Sequence, residues 1–545
     1  MPSNKPLSPE ELEKALEEID ARAESKIPGW SHLWARRARQ LRAHSAATGD
    51  SDEAPEVYAH GLDVEGGGRC LSDTRMPEIQ GTTRQIQGLW PWSVGGGSPM
   101  LGAPLGQHYL HGRPVYFDAL DWFRAGLMTS PTQIVLGLNG YGKSSLVRRM
   151  ATYAIATGRR VIFMSDCKPD YRAMTELLGG QVISAGYGRS VINLLDPGSL
   201  GEALHQIEHL PEQHRILQEE IKRRTLLNLT IVIELMRGEA LRDFESSLLS
   251  AALDILAVEH EGGAPPIISD LLACIEASDT EQAAELRDAV SVDSQEDYEL
   301  ETRPLRRSLN AIVDGAMGSL FNGQTTHPIN LDSPCVDIDV SAVPENNAIL
   351  RAAVMLISWQ NAFAAIEGHH VLSDNGIHEK VVFDLIGDEL WQLLEASPEH
   401  AVSYIDRITR TNRTSGLILT LITHSVRDFK QVAGGESNQG RATGFIERCR
   451  AKFIAPVTQS EIEEMRGIIN FTETEEAMLQ EWSATPIPGE DFVPGDRQKP
   501  TGLGCFILKT SESDTTPGVP FRVHLPEYEK ATGIHDTSAR LEKNS

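Results

Sequence analysis

Residues 137–144 read Gly-Leu-Asn-Gly-Tyr-Gly-Lys-Ser, the spacing G-x-x-x-x-G-K-[ST]. The chemistry of that spacing is phosphate binding. Gly137, Gly140 and Gly142 let the backbone curl until successive N–H groups face one anion, and Asn139, Tyr141 and Ser145 complete the cradle. A helix beginning at Lys143 adds its N-terminal dipole. Lys143 is then placed to reach the β- and γ-phosphates of a nucleotide, and Ser144 to ligate Mg²⁺.

A phosphate loop does chemistry only with a carboxylate at the end of a neighbouring strand. The segment from Val381 to Trp391, Val-Val-Phe-Asp-Leu-Ile-Gly-Asp-Glu-Leu-Trp, offers one. Asp388 is assigned to the metal and Glu389 to the attacking water. Asp384 also ends an apolar run and is the competitor, but only 388/389 supplies the paired carboxylates that hydrolysis needs. A third group lies in Arg407, Arg410 and Arg413, ahead of the apolar run Leu417 to Ile422. In a ring, an arginine of one subunit can reach its neighbour's γ-phosphate, an effect worth roughly 10³–10⁵ in rate. Arg413 is the first candidate and Arg410 the second, against a plain surface-helix role for each. His424 follows that strand and sits where a polar side chain could touch the γ-phosphate, or serve as a satisfied structural histidine.

These groups need strands and helices to hold them, and the surrounding pattern supplies both. Gln133 to Gly137 is a short apolar strand. A helix follows from about Lys143 to Ala156, is ended by Gly158, and leads into a strand at Val161 to Met164. This β-α-β alternation implies an α/β fold with a parallel-rich sheet covered by helices, and the phosphate loop on its first turn makes it a candidate P-loop NTPase core. From Leu200 to about Met317 the period is helical throughout, which reads as an α-helical insertion. Strand signals return at Cys335 to Val340, Val381 onward, Leu417 to Ile422 and Lys452 to Ala455. A capping box, Thr472-Glu-Thr-Glu475, opens a late helix, and Gly504 to Lys509 and Phe521 to Leu525 read as a terminal β-hairpin. The resulting divisions are 1–60, a helical and partly flexible extension; 61–125, a lead-in packing on the core; 126–200, the first part of the ATPase core; 201–325, the insertion; 326–460, its second part; and 461–545, the C-terminal helix and hairpin.

Composition narrows the class further. The chain has 545 residues and a net charge of -27, which argues against a broadly basic DNA-coating protein but not against a local basic channel. Its six cysteines are scattered with no C-x-x-C pair, as in a reducing cytoplasm. The first 24 residues contain no apolar export core. The longest apolar stretch, Ala348 to Ile366, is broken by Arg351, Gln360 and Asn361, and reads as a buried core helix rather than a membrane span.

Some signals point elsewhere. His205-Gln-Ile-Glu208-His209 matches the inverted zinc-protease pattern H-x-x-E-H, but it has no distal ligand and reads as a solvated helix face cut short by Pro211. His369-His370 reads as a solvated pair flanked by loop residues. Trp30, Trp34, Trp90 and Trp92 read as packing residues.

Taken in order, the motifs resemble the FtsK/HerA superfamily of ring ATPases, and within it the VirB4 (TraC-like) ATPases of conjugative type IV secretion. The resemblance spans roughly residues 88–530. It rests on the P-loop, on Asp388-Glu389-x-Trp391, and on Leu105-Gly106 with Gly112-Arg-Pro-Val115. Asp166-Cys-Lys-Pro-Asp170-Tyr171, Ile192-Asn-Leu-Leu-Asp196-Pro197 and Gly318-Ser-Leu-Phe-Asn-Gly323 extend it. His424 stands where the family usually has Gln, and Arg413-Thr414 replaces an Arg-Lys pair. The N-terminal region is shorter than the family's usual large domain.

The resemblance implies an ATP- and Mg²⁺-dependent hydrolase, assembled as a homo-hexamer, that energises conjugative DNA transfer. Its partners would be other secretion proteins at the inner face of the membrane, with possible direct DNA contact. It would be cytoplasmic or peripheral at that face, with no transmembrane segment of its own. Two alternatives stand beside this. One is a DNA-pumping translocase or coupling protein of the same superfamily. The other is an assembly scaffold that binds ATP with little turnover.

Overall fold

The computed structural model describes residues 57–58, 61–62, 98–277, 281–389, 392, 416–426, 444, 446–484, 500–510 and 517–535. The chain forms two compact units, Met1–Gly81 and Thr82–Ser545. In the first, a two-residue strand β1 (Val57–Tyr58) pairs antiparallel with β2 (Gly61–Leu62). Apart from β1, the helical extension expected over residues 1–60 lies outside the described residues, as do all four of the early tryptophans.

The second unit is built on one eleven-stranded sheet. Its strands are β3 (Ala103–His108), β4 (Pro114–Phe117), β5 (Thr132–Leu136), β6 (Arg160–Asp166), β7 (Gln181–Gly186), β8 (Cys335–Ala342), β9 (Phe383–Gly387), β10 (Leu417–Thr423), β11 (Ala451–Ile454), β12 (Cys505–Lys509) and β13 (Val519–Val523). Their spatial order is β4-β3-β13-β12-β11-β5-β10-β9-β6-β8-β7. The run from β11 to β7 is parallel throughout. The four strands from β4 to β12 are antiparallel to one another and join the parallel run through β11. Of the expected lead-in, β3 and β4 are strands of this same sheet.

Sequence explains why the central strands sit where they do. β5, β9 and β10 are buried along their whole length, as strands covered on both faces must be. Alternate residues feed opposite cores. Ile134, Leu136, Ile162, Leu385 and Leu421 face one, and Val135, Val161, Phe163, Ile386 and Ile422 face the other. The second core is covered by α1 (Ala119–Arg124), α2 (Lys143–Ala156) and α3 (Arg172–Leu177).

Between β7 and β8 the described chain is helical: α4 (Gly198–Gln206), α5 (Pro211–Arg237), α6 (Asp243–Glu259), α7 (Ile268–Glu276), α8 (Glu281–Val290), α9 (Gln295–Asp314) and α10 (Gly318–Phe321). Helices α5 to α10 and α11 (Ala348–Asp374) supply about half of the first core, while Leu200 and Ala203 of α4 pack with Leu217 and Leu372 in a smaller cluster. α11 is long and apolar enough to cross a membrane, but 78% of its most apolar stretch is buried inside the fold. After the sheet's parallel run come α12 (Gln459–Met465), α13 (Glu473–Ser483) with its Thr472–Glu475 capping box, and α14 (Glu527–Ala531).

Two histidine motifs are placed differently from their sequence reading. α4 ends at Gln206, so His209 is not on the same helix as His205. Pro211 opens α5 at its first turn, where its missing N–H costs nothing, rather than closing α4. His369 and His370 lie inside α11, not in a loop, and both rings pack on Phe383.

A buried ionic cluster ties α1 to the sheet. Asp118 caps α1 by accepting from the N–H groups of Leu120 and Asp121. Arg159 pairs with Asp118 and lies 3.6 Å from Asp384 on β9. Burial pushes the Asp384 carboxyl up to about 7, against the pull of Arg159. Arg159→Ala strips both carboxylates of their counter-ion, and breaking a buried pair in this way costs about 3–5 kcal/mol. Denaturant titration should show that deficit at pH 8. Below about pH 7 it should shrink, because Asp384 can then take up a proton and needs no cation. A pH-independent deficit would contradict this reading.

Candidate nucleotide site

The parallel run ends β5, β10, β9 and β6 along one edge of the sheet, and the candidate groups collect there. Gly137 leaves β5 at φ 141°, and Gly140 and Gly142 turn the loop at φ 81° and 94°. Any side chain at 137 would collide with Ala455, since an added Cβ would lie 2.5 Å from the Cβ of that residue. The loop is held on both sides. Leu138 N–H donates to Pro456 O at 3.0 Å, and Gly504 N–H to Tyr141 O at 3.0 Å. Asn139 and Gly140 are exposed at the tip, whereas Tyr141, Ser144 and Ser145 are half-buried.

Lys143 opens α2 and is buried. Its ammonium donates to Gly137 O at 2.6 Å and Leu138 O at 3.0 Å, and lies 3.4 Å from Asn139 Oδ1. A fourth partner is His424 Nδ1 at 2.9 Å. Burial pulls the Lys143 pKa down to about 8, although Asp388, Glu389 and Asp170 counteract it. It therefore remains a cation at neutral pH. A lysine ammonium only donates, so Nδ1 of His424 must accept. The imidazole is then neutral with its proton on Nε2, and that nitrogen donates to Glu389 Oε2 at 2.8 Å.

Asp388 and Glu389 follow β9 directly. β9 is separated from β5 by β10, so the carboxylates stand one strand further from the loop than an adjacent strand would put them. His424 fills the intervening position, at the exit of β10. Gly387 lets β9 pass Trp359 of α11, whose ring carbon would lie 3.0 Å from an added Cβ. Asp388 accepts from the Tyr171 hydroxyl at 2.9 Å and from the Glu389 N–H at 2.7 Å. Burial and the adjacent Glu389 push its carboxyl up to about 6. Burial works to raise Glu389 as well, but hydrogen bonds from His424 and Lys168 outweigh it and hold that carboxyl at about 2. Asp384, the competitor, lies four residues back, paired with Arg159 and opposite Val161. Phosphate loop and Asp384 belong to different levels of the sheet.

Sequence reasoning assigned no role to the turn after β6, which proves to be the fourth wall. Asp166 accepts from the N–H groups of Asp170 and Tyr171 and so shapes the turn. That turn delivers Asp170 to Ser144, whose Oγ donates to Asp170 Oδ2 at 3.0 Å. It also delivers Tyr171 to Asp388, and Lys168 to Glu389. Tyr171 stacks on Phe163, with ring centroids 4.3 Å apart, and Arg148 braces the turn through Asp170 O at 2.9 Å. The available signal was an acid–lysine–acid–tyrosine cluster at the end of a strand that neighbours the carboxylate strand.

Arg407, Arg410, Arg413 and Trp391 lie outside the described residues. Among the described residues no group of three or more His, Cys, Asp or Glu could cage a metal. Mg²⁺ needs no such cage. It is held by one or two protein oxygens together with phosphates and water, and the Ser144 hydroxyl and the Asp388 carboxylate, with Asp170 beside them, are donors of that hard oxygen type.

No protein-family model matches the chain, and no curated protein matches its sequence. Solved structures do. VirB4 of Thermoanaerobacter pseudethanolicus superposes with a TM-score of 0.56 at 19% identity, covering 80% of this chain and all of that one. The bacterial conjugative coupling protein TrwBΔN70 gives a TM-score of 0.43 at 13% identity, covering 77% and 90%. TrwB in complex with the ATP analogue ADPNP gives 0.46 at 11% identity, over the same shares. The strand order, the P-loop and the VirB4 superposition together give this chain a VirB4-like fold, of the RecA-like P-loop α/β class.

Proposed function

We propose that the protein is a Mg²⁺-dependent ATPase that works as a ring, most simply a homo-hexamer, to energise conjugative DNA transfer or type IV secretion. One observation carries the catalytic half of this reading. The network Lys143–His424–Glu389 joins the phosphate loop to the second carboxylate through two hydrogen bonds of 2.9 and 2.8 Å. Lys143 and the loop N–H groups stabilise charge on the transferring phosphoryl group. Ser144 and Asp388 would hold Mg²⁺, which would supply positive charge to offset that of the triphosphate. Glu389 orients the attacking water, and His424 reports the state of Lys143 to Glu389. An arginine from the neighbouring subunit, Arg413 or Arg410, completes the site. The transport half of the reading rests on the ordered motifs and on the fold shared with VirB4. It places the protein at the cytoplasmic face of the membrane, among other secretion components.

Turnover measured with and without single- and double-stranded DNA, with the assembly sized in the same samples, tests the whole. DNA-stimulated hydrolysis with a steep salt dependence would favour a DNA-pumping motor instead. Glu389→Gln should bind ATP normally and hydrolyse it about 10²–10⁴-fold more slowly, the usual loss when a catalytic acid or base is removed. Equal turnover in both proteins would leave only an ATP-binding scaffold. Lys143→Ala should lose nucleotide binding in a fluorescent-ADP titration. His424→Ala should retain that binding and lose kcat, because only the link to Glu389 is cut. A His424→Ala variant with wild-type kcat would remove the histidine from the mechanism.

A further inference from the structure

The two side chains read as metal donors come from distant parts of the chain, Ser144 from the first turn of α2 and Asp388 from the exit of β9. Each is held by a partner, and the two partners are consecutive residues. Ser144 Oγ donates to Asp170 Oδ2 at 3.0 Å, and the Tyr171 hydroxyl donates to Asp388 Oδ2 at 2.9 Å. The Ser144 bond thus runs to the turn after β6 and not to Asp388, whose other oxygen takes the Glu389 N–H.

The direction of the first bond matters. A hydroxyl has one proton and two lone pairs, and an ionised carboxylate only accepts. With its proton committed to Asp170, Ser144 can turn only lone pairs toward a cation. Without that acceptor the proton is free to point at the metal and repel it. The second bond acts on orientation. The phenol takes Oδ2 of Asp388 and so restrains the plane of the carboxylate, as partners of metal-binding carboxylates do.

The turn that carries both partners is itself braced. Asp166 accepts the Asp170 N–H on Oδ1 at 3.0 Å and the Tyr171 N–H on Oδ2 at 2.8 Å. Arg148, fully buried on α2, donates Nε–H to Asp170 O and sets its guanidinium 3.8 Å from Asp170 Oδ1, which leaves Oδ2 to Ser144. Tyr171 is buried and stacked on Phe163, so its hydroxyl has little room to leave Asp388.

We propose that Asp170 and Tyr171 are positioning residues for Mg²⁺. One turn holds both metal donors in the pose that receives the cation, Ser144 through its proton and Asp388 through its carboxylate plane. This rests on the reading of Ser144 and Asp388 as the metal donors.

The test titrates a fluorescent ADP probe onto the full-length protein, first in EDTA and then over a range of Mg²⁺. In wild type Mg²⁺ should tighten the probe. Asp170→Ala and Tyr171→Phe should each raise the Mg²⁺ concentration at half effect about tenfold or more, the usual loss when the partner of a metal ligand is removed. The affinity in EDTA should stay unchanged. Tyr171→Phe keeps the buried ring and so decides the matter if Asp170→Ala folds poorly. In an S144A background D170A should add nothing, because Asp170 acts through Ser144. A further shift in S144A/D170A would make Asp170 itself a metal ligand and overturn the proposal. An unchanged midpoint in either single variant would overturn it too, as would affinity lost equally with and without Mg²⁺, the mark of a merely structural turn. If S144A responds to Mg²⁺ as wild type does, the reading of Ser144 itself has failed, a different result from a silent D170A beside an impaired S144A.

Discussion

In a parallel sheet every strand finishes on the same side, and the site depends on that constraint. β5 and β10 run in register so that Leu136 lies opposite Thr423. β10 and β9 pair so that Leu421 lies opposite Gly387. The residue after each strand end is therefore the one that can reach its neighbour. That is why Lys143, His424, Asp388 and the 166–171 turn meet, although Lys143 and His424 are 281 positions apart in the chain. A shift of one residue in any pairing would turn the functional side chains to the opposite face.

The electrostatics follow from the crowding. Four carboxylates, Asp166, Asp170, Asp388 and Glu389, converge on a site with two lysines and a neutral histidine. Where a carboxylate receives strong donors, as Glu389 does, it stays ionised. Where burial prevails, as at Asp388 and Asp166, the carboxyl is pushed up to about 6 and about 7. Two neighbouring acids are thereby driven in opposite directions. Separation of that kind sets two adjacent acids apart chemically.

Much of this was legible in the residues themselves. The phosphate loop is a local pattern whose glycines have no purpose except an unusual backbone, and its strand and helix appear where the apolar period puts them. Asp388 stood out from Asp384 because only it was followed by a second acid. The parallel order of the sheet also followed from β-α-β alternation. What could not be read was long-range. Nothing in the run from Asp166 to Tyr171 says that its lysine will meet a glutamate 221 positions later, because such a meeting depends on strand order. Likewise the C-terminal strands read as a hairpin, which they form, but nothing in them says that β12 joins β11 and β13 joins β3, since pairing partners leave no mark in a strand's own alternation. The histidine motifs misled for a simpler reason. Spacing alone does not reveal whether a helix ends between two residues, as α4 does before His209.

The antiparallel border has a consequence for how the molecule is made. β13 hydrogen-bonds to β3, so Phe521 lies opposite His108. Among the strands of this sheet β3 and β4 are made first, and more than four hundred residues separate β4 from the strand that joins them to the rest of the sheet. During that interval their open edge can pair with any other extended segment. The sheet is therefore open to misassembly at β3 and β4 throughout that interval, and the loop at 137–144 gains its brace from Gly504 only once that residue has been made.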